Sequence, residues 1–270
     1  MFGVFSRKRQ QVSGAEQTNT TTAPPPTNIK HTIDPLNSIL VNCQPLPSDA
    51  SVPVELPVSA KQFAVTVDGL VSDSESAALI AATREVGYES ALINVGGNVQ
   101  MRDDSVRKSG RCIIDTPAFA AALWARLKPF LPASHHALGG EWQPTGLNER
   151  MRFLRYEPGD YFRPHTDGSF ARKVGDRKGE RSFLTLMVYL DSPELGGETN
   201  FLDPQKSGAK ASVQPHAGLG LVFEHELLHE GAELRRGVKH ALRTDVTTRR
   251  RSNPGLAAPL VCTGAPFCMP

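Results

Sequence analysis

Nothing in the 270-residue sequence approaches the run of about eighteen apolar residues that a bilayer-spanning helix requires, so no such span is expected. Neither sign of charge is in excess. Lys and Arg number 30 against 28 Asp and Glu, which leaves no molecule-wide field to attract nucleic acid or an acidic membrane. Any partner must be selected locally. Cysteines are few, and Cys43, Cys112, Cys262 and Cys268 stand at spacings that fit neither a zinc site nor a redox pair. No secretory signal precedes them: in MFGVFSRKRQQ the basic cluster Arg7, Lys8 and Arg9 follows a few apolar residues, the reverse of the signal order. The same segment is free of acids up to Glu16, but it lacks the further arginines of a mitochondrial presequence and runs into Thr and Pro. Reduced thiols and a cytoplasmic location are the expectation.

The length suits one sizeable domain with appendages. Residues 1–57 are dominated by Thr, Pro, Ser, Asn and Gln, including TNTTTAPPPT, and bury too little to repay their ordering entropy. They are expected to form a disordered or loosely attached tail, with a polyproline docking peptide as the functional alternative. The domain is expected over residues 58–250. KQFAVTVDGL alternates as a strand does, and SDSESAALIAATREVG follows with polar caps and an apolar face at helical spacing. Thr116 and Pro117 supply an N-cap and an N1 proline for AFAAALWARLKPFL. RMRFLRY at residues 150–156 alternates bulky and basic residues, whereas SFLTLMVYLD at 182–191 is nearly all apolar and therefore central. Short strands punctuated by Gly and Pro complete the domain, and residues 251–270 read as an irregular C-terminal tail. Helices followed by clustered strands predict an α+β class in which two sheets form a sandwich or jelly roll.

The stretch at residues 155–170, RYEPGDYFRPHTDGSF, carries the first chemical signal. His165 and Asp167 are two apart, so on an extended strand both side chains leave one face and can grip one metal ion. A third ligand must come from a distant strand, and FEHELLHEG offers His229, with His225 as its rival four residues earlier. Two His and one carboxylate with open positions suit non-haem Fe(II), whereas zinc favours a closed tetrahedron or three ligands and a water.

The ordered set of HTD at residues 165–167, YLDSPELGGETNF at 189–201 and LLHEG leading into GVKHALRTDV at 237–246 resembles the 2-oxoglutarate and Fe(II)-dependent dioxygenases, in particular their prolyl 4-hydroxylase-like branch. The resemblance implies a double-stranded β-helix core with flanking N-terminal helices. It also implies Fe(II) at His165, Asp167 and His229, 2-oxoglutarate as cosubstrate, O2, and L-ascorbate, which relatives use to rescue oxidised iron. Lys239, ten residues past His229, matches the lysine that anchors the remote C5 carboxylate of 2-oxoglutarate. Arg243 faces the same side of the strand as a second charge, and Tyr156 and Tyr189 match tyrosines that help hold the cosubstrate. His225 falls before the LLHEG element that the family pattern matches. Thr199 and the glycines of GGET are expected to serve the turn rather than the chemistry.

One departure from the prolyl hydroxylase pattern is Phe162, where relatives often carry Tyr; here Tyr161 is displaced by one residue and should face away. It bears on a prolyl substrate, not on the metal. A carboxylate at Asp167 favours hydroxylation over halogenation, because related halogenases vacate that position. The implied reaction hydroxylates a C–H bond of a peptide or protein residue with release of succinate and CO2. A small-molecule substrate, a cupin-like metal protein and a catalytically silent β-helix interaction domain are the alternatives. The charged, glycine-containing segment 168–181 has the length and place of a lid, or of an inert loop.

Overall fold

The computed structural model describes residues 34–40, 46–55, 62–95, 99–205, 208 and 210–251. Its main elements are β1 (Ser51–Pro53), β2 (Ala64–Val67), α1 (Asp73–Val86), β3 (Gly110–Asp115), α2 (Pro117–Leu127), β4 (Gly140–Leu147), β5 (Arg150–Tyr156) and β6 (Tyr161–His165). These are followed by β7 (Arg181–Tyr189), β8 (Thr199–Leu202), β9 (Lys210–Val213), β10 (Gly220–Glu224), β11 (His229–Gly231) and β12 (Lys239–Arg250).

Two antiparallel sheets account for most of these strands. The larger runs β1-β2-β10-β7-β12-β5-β3, ends on the short pair-forming segment Glu89–Ser90, and takes β4 alongside the end of β12. The smaller runs β9-β8-β11-β6 and ends on Arg107–Lys108. Strands that alternate between the sheets in this way make the double-stranded β-helix.

Alternation along each strand decides what lies on either side of the larger sheet. On β7, Leu184, Leu186 and Val188 are fully buried and join the cluster that Leu79 of α1 and Phe119, Leu123 and Leu127 of α2 enter from the helical side. Met151 and Phe153 of β5 and Leu242 and Val246 of β12 join the same cluster. The intervening residues face the space between the sheets. Register makes that inward face explicit: Tyr156 lies opposite Lys239, Leu154 opposite Ala241, and Arg152 opposite Arg243.

Helix α1 begins with a capping box in which Ser72 accepts from the Glu75 backbone and Glu75 accepts from that of Ser72. Glu75 also pairs with Arg126 at 2.7 Å, tying α1 to α2. At α2 the expected N1 proline is present, but Thr116 makes no side-chain cap; its hydroxyl donates to Asp34 instead.

That bond belongs to a larger departure from expectation. Within the stretch read as a loose tail, Leu36 is fully buried, Leu40 joins the same core cluster, and β1 pairs with β2. The reading of 1–57 as loosely attached therefore fails for residues 34–40 and 46–55. Apolar residues spaced among polar ones suffice when the rest of the core supplies the other wall. Residues 1–33, with TNTTTAPPPT, and residues 252–270 lie outside the described set. Of the cysteines, Cys112 is described: it is a buried free thiol whose pKa burial pushes up to about 11, which keeps it protonated. No described helix is long and apolar enough to cross a membrane.

Candidate active site

A cavity of about 740 Å³ opens between the two sheets, and His165, Asp167, His229, Tyr156, Thr199, Lys239 and Arg243 all line it. His165 ends β6, and β11 carries His229 directly opposite it in register. Asp167 lies two residues beyond the strand, so the shared-face argument does not place it. Its backbone N–H instead donates to the His225 carbonyl at 2.9 Å, and its carboxylate accepts from the Thr185 hydroxyl at 2.5 Å. One ligand atom from each of His165, Asp167 and His229 falls within 4.8 Å of the others.

The donor chemistry fits a divalent ion. Nδ1 of His165 donates to the Arg163 carbonyl at 2.8 Å, and Nδ1 of His229 to the Leu227 carbonyl at 2.9 Å. Each bond leaves Nε2 with its lone pair free, as a metal-ligating imidazole needs. Burial, and for His165 the neighbouring His229, lowers both imidazole pKa values, that of His165 to about 3, so both are neutral at pH 7. Burial would raise the Asp167 pKa, but Arg243 at 2.9 Å, His229 and Thr185 outweigh it and hold the carboxyl ionised. The set is two neutral nitrogens and an anion.

His225 does not enter this set. Its ring is buried against Asp245, with Nε2 3.8 Å from a carboxylate oxygen.

Lys239 is 3 % exposed and sits between two tyrosine rings, its ammonium 5.2 Å from the centroids of both Tyr156 and Tyr189. It donates to the Gly197 carbonyl at 2.6 Å. Burial pulls its pKa down to about 8, with Asp191 and Glu198 opposing the shift. Tyr189 is fully buried and donates to the Thr199 hydroxyl at 2.7 Å. Thr199 lines the cavity as well as serving the turn, so the hydroxyl that accepts from Tyr189 borders the site. Gly196 and Gly197 have positive φ, and a Cβ on Gly197 would stand 3.2 Å from Cδ of Lys239. The GGET turn therefore shapes the lysine's own pocket.

Arg243 is spoken for. It pairs with Asp167 at 2.9 Å and Asp245 at 3.4 Å, so its first partners are carboxylates of the protein. Phe162 stacks on His165 with ring centroids 3.5 Å apart, while Tyr161 points away and donates to the Asp104 carbonyl.

The lid expectation changes as well. Residues 170–182 fold back on themselves through Arg172 N–H to Glu180 and Ser182 N–H to Phe170 backbone bonds. Arg172 reaches Glu149 at 2.6 Å and Glu180 at 3.3 Å, and Arg177 pairs with the same two acids. Arg172 and Arg177 are thus paired with the protein's own acids, and neither lines the cavity. Three arginines that sequence reasoning did not single out, Arg107, Arg111 and Arg152, line the cavity instead. The alternation of basic and bulky residues in RMRFLRY was the available signal for Arg152.

Known proteins match the part of the chain that carries these residues. Residues 151–246 match the family model of the 2OG-Fe(II) oxygenase superfamily. Prolyl 4-hydroxylase 2 of Arabidopsis thaliana is 30% identical over 152 residues, covering 55% of this chain and 46% of the relative. The chain thus spans about half the length of that curated relative. A viral collagen prolyl hydroxylase from Paramecium bursaria chlorella virus-1 is similar at TM-score 0.47 and 23% identity, over 70% of this chain and 98% of the other. A Pseudomonas putida prolyl-4-hydroxylase gives TM-score 0.47 and 21% identity, over 71% and 95%. The matched segment holds all three candidate metal ligands and Lys239. Over residues 151–246 the chain is similar to the 2OG-Fe(II) oxygenase superfamily, and prolyl 4-hydroxylases are among the proteins it resembles.

Proposed function

We propose that the chain is a dioxygenase that hydroxylates a C–H bond of a bound substrate while 2-oxoglutarate is converted to succinate and CO2, one atom of O2 going to each organic product. Nε2 of His165, a carboxylate oxygen of Asp167 and Nε2 of His229 would hold Fe(II), and the metal supplies the redox chemistry that couples the two oxidations. The Nδ1 bonds of the two histidines fix their tautomers, and Thr185 and Arg243 hold the Asp167 carboxylate in place. Lys239 would receive the C5 carboxylate of 2-oxoglutarate, with Thr199, Tyr156 and, through Thr199, Tyr189 completing the anion's hydrogen bonds.

The observation that carries this reading is the buried ammonium of Lys239. A cation so placed, with a carbonyl and two aromatic faces around it, is costly unless an anion joins it. A silent interaction domain or a cupin-like metal protein has no use for such a group. A prolyl or other residue of a peptide is the first substrate by resemblance, and a small molecule is the second. The test is to load the protein with Fe(II) and 2-oxoglutarate without oxygen, admit O2, and search peptides and a metabolite extract by mass spectrometry. A gain of one oxygen atom matched by one succinate supports the proposal, and the absence of succinate under any of these conditions sinks it.

A further inference from the structure

Outside the Lys239 pocket, the cavity wall contributed by β3, β5 and the Arg107–Lys108 segment is cationic and short of anions. Among the described residues, Arg107 and Arg111 form no ion pair, and Arg152 has one carboxylate, Asp245, at 3.6 Å. Nε of Arg107 donates to Ser109 at 3.2 Å, and Arg111 makes a 3.5 Å contact with Gln100. Nη1 of Arg152 is buried without a hydrogen bond. Strand register explains why the three converge: Arg152 and Leu154 share the inward face of β5, Arg111 stands opposite Leu154, and Arg107 lies over the Phe162 ring at 4.5 Å. Phe162 in turn stacks on His165.

Burial lowers all three guanidinium pKa values, and for Arg111 the neighbouring Arg107 and Arg152 add to it. Like charges held together in a half-buried wall destabilise the free protein, and an anion arriving there relieves both the repulsion and the unmet donors. Arg172 and Arg177 of the charged segment 168–181 are tied to Glu149 and Glu180, and no arginine of that segment lines the cavity.

We infer that Arg107, Arg111 and Arg152 form a substrate subsite for an oxyanion, so that the substrate carries a carboxylate or phosphate near the C–H bond to be hydroxylated. The planar guanidinium forks match such groups bidentately. The inference rests on the dioxygenase reading of the cavity and adds the chemical class of its substrate. The anion has three sources, an acidic peptide side chain, a phosphorylated one, or a free carboxylic acid.

The test uses the full chain loaded with Mn(II), which does not turn over, and saturating 2-oxoglutarate. Calorimetric titration compares L-proline with L-prolinamide, peptides in which proline follows glutamate or glutamine, and peptides in which proline follows phosphoserine or serine. At least one anionic probe is expected to bind about tenfold or more tightly than its neutral partner, as loss of a charge-assisted bond implies. The pair that discriminates identifies the source. Arg152→Gln and, separately, Arg111→Gln should erase the preference while the affinity for 2-oxoglutarate stays within about threefold. If no anionic probe exceeds its neutral partner in the wild-type protein, or the preference survives both substitutions, the subsite is disproved. Failure of 2-oxoglutarate itself to bind would instead overturn the dioxygenase reading, and the titration measures that separately.

Discussion

A lysine ammonium enclosed by Tyr156, Tyr189 and the Gly197 carbonyl, with no ion pair among the described residues, is the group on which the proposed cosubstrate binding rests. Removing the cation would leave a desolvated 2-oxoglutarate carboxylate unpaired, at a cost of about 3–5 kcal/mol. Lys239→Ala is therefore expected to raise the KM for 2-oxoglutarate by roughly two to four orders of magnitude, a shift that succinate kinetics at saturating metal would read directly. Its pKa gives a second check. Burial sets it at about 8, so in the unliganded protein the charge is complete at pH 7 and declines above pH 8. The KM for 2-oxoglutarate should climb toward tenfold per pH unit above that point, and a flat profile up to pH 10 would contradict the assignment. His165 works in the other direction. Its folded pKa is about 3, far below its unfolded value, so the unfolded chain binds the extra proton first and the metal-free fold loses stability as pH falls from about 6.5 toward 3. Denaturant melts of metal-free protein across that window, read against His165→Ala, isolate this contribution.

At the scale of elements, the turn that precedes β8 and the hairpin after β6 each do something the sequence pattern only partly disclosed. GGET announced a tight turn, but not that Gly197 leaves the room in which Lys239 lies. With φ +80 and a would-be Cβ 3.2 Å from the lysine Cδ, Gly197→Ala combines backbone strain with a displaced ammonium. The expected result is a loss of about 1–2 kcal/mol in stability together with a raised KM for 2-oxoglutarate, where a purely structural glycine would change the melt alone. In the hairpin, Glu180 is 2 % exposed and holds both Arg172 and Arg177. Glu180→Ala should destabilise by about 2 kcal/mol, discounted from the buried-pair figure because the arginines reach solvent. It should also make residues 170–182 newly sensitive to trypsin, whereas the intact hairpin should resist with or without cosubstrate. Composition showed the charges of this segment. It did not show their partner Glu149, which lies on the far side of the β5 and β6 strands in sequence.

Over the whole molecule, alternation made the inner strands legible. RMRFLRY and SFLTLMVYLD form the half-buried and the central strand their patterns implied, each beside β12, and the resemblance carried by HxD, GGET, distal His and Lys was enough to indicate the double-stranded β-helix. What stayed hidden depends on contacts distant in sequence. Leu36 and Leu40 look like chance apolar residues in a polar stretch until α2 and the larger sheet provide a surface to cover. Arg107 and Arg111 belong to a segment with no periodicity of its own, and only pairing with β5 and β6 turns them inward. Spacing alone left His225 beside His229 and the LLHEG pattern preferred the latter; in the structure His229 stands opposite His165 in register, while His225 is buried against Asp245. That separation leads to the most direct measurement of the central claim, Fe(II)- and O2-dependent formation of succinate from 2-oxoglutarate by His229→Ala and His225→Ala proteins beside the wild type. The wild type and His225→Ala should both form succinate, and His229→Ala should form none while keeping its fold by circular dichroism. Turnover by His229→Ala with loss in His225→Ala, or no succinate from the wild type at all, would contradict the account.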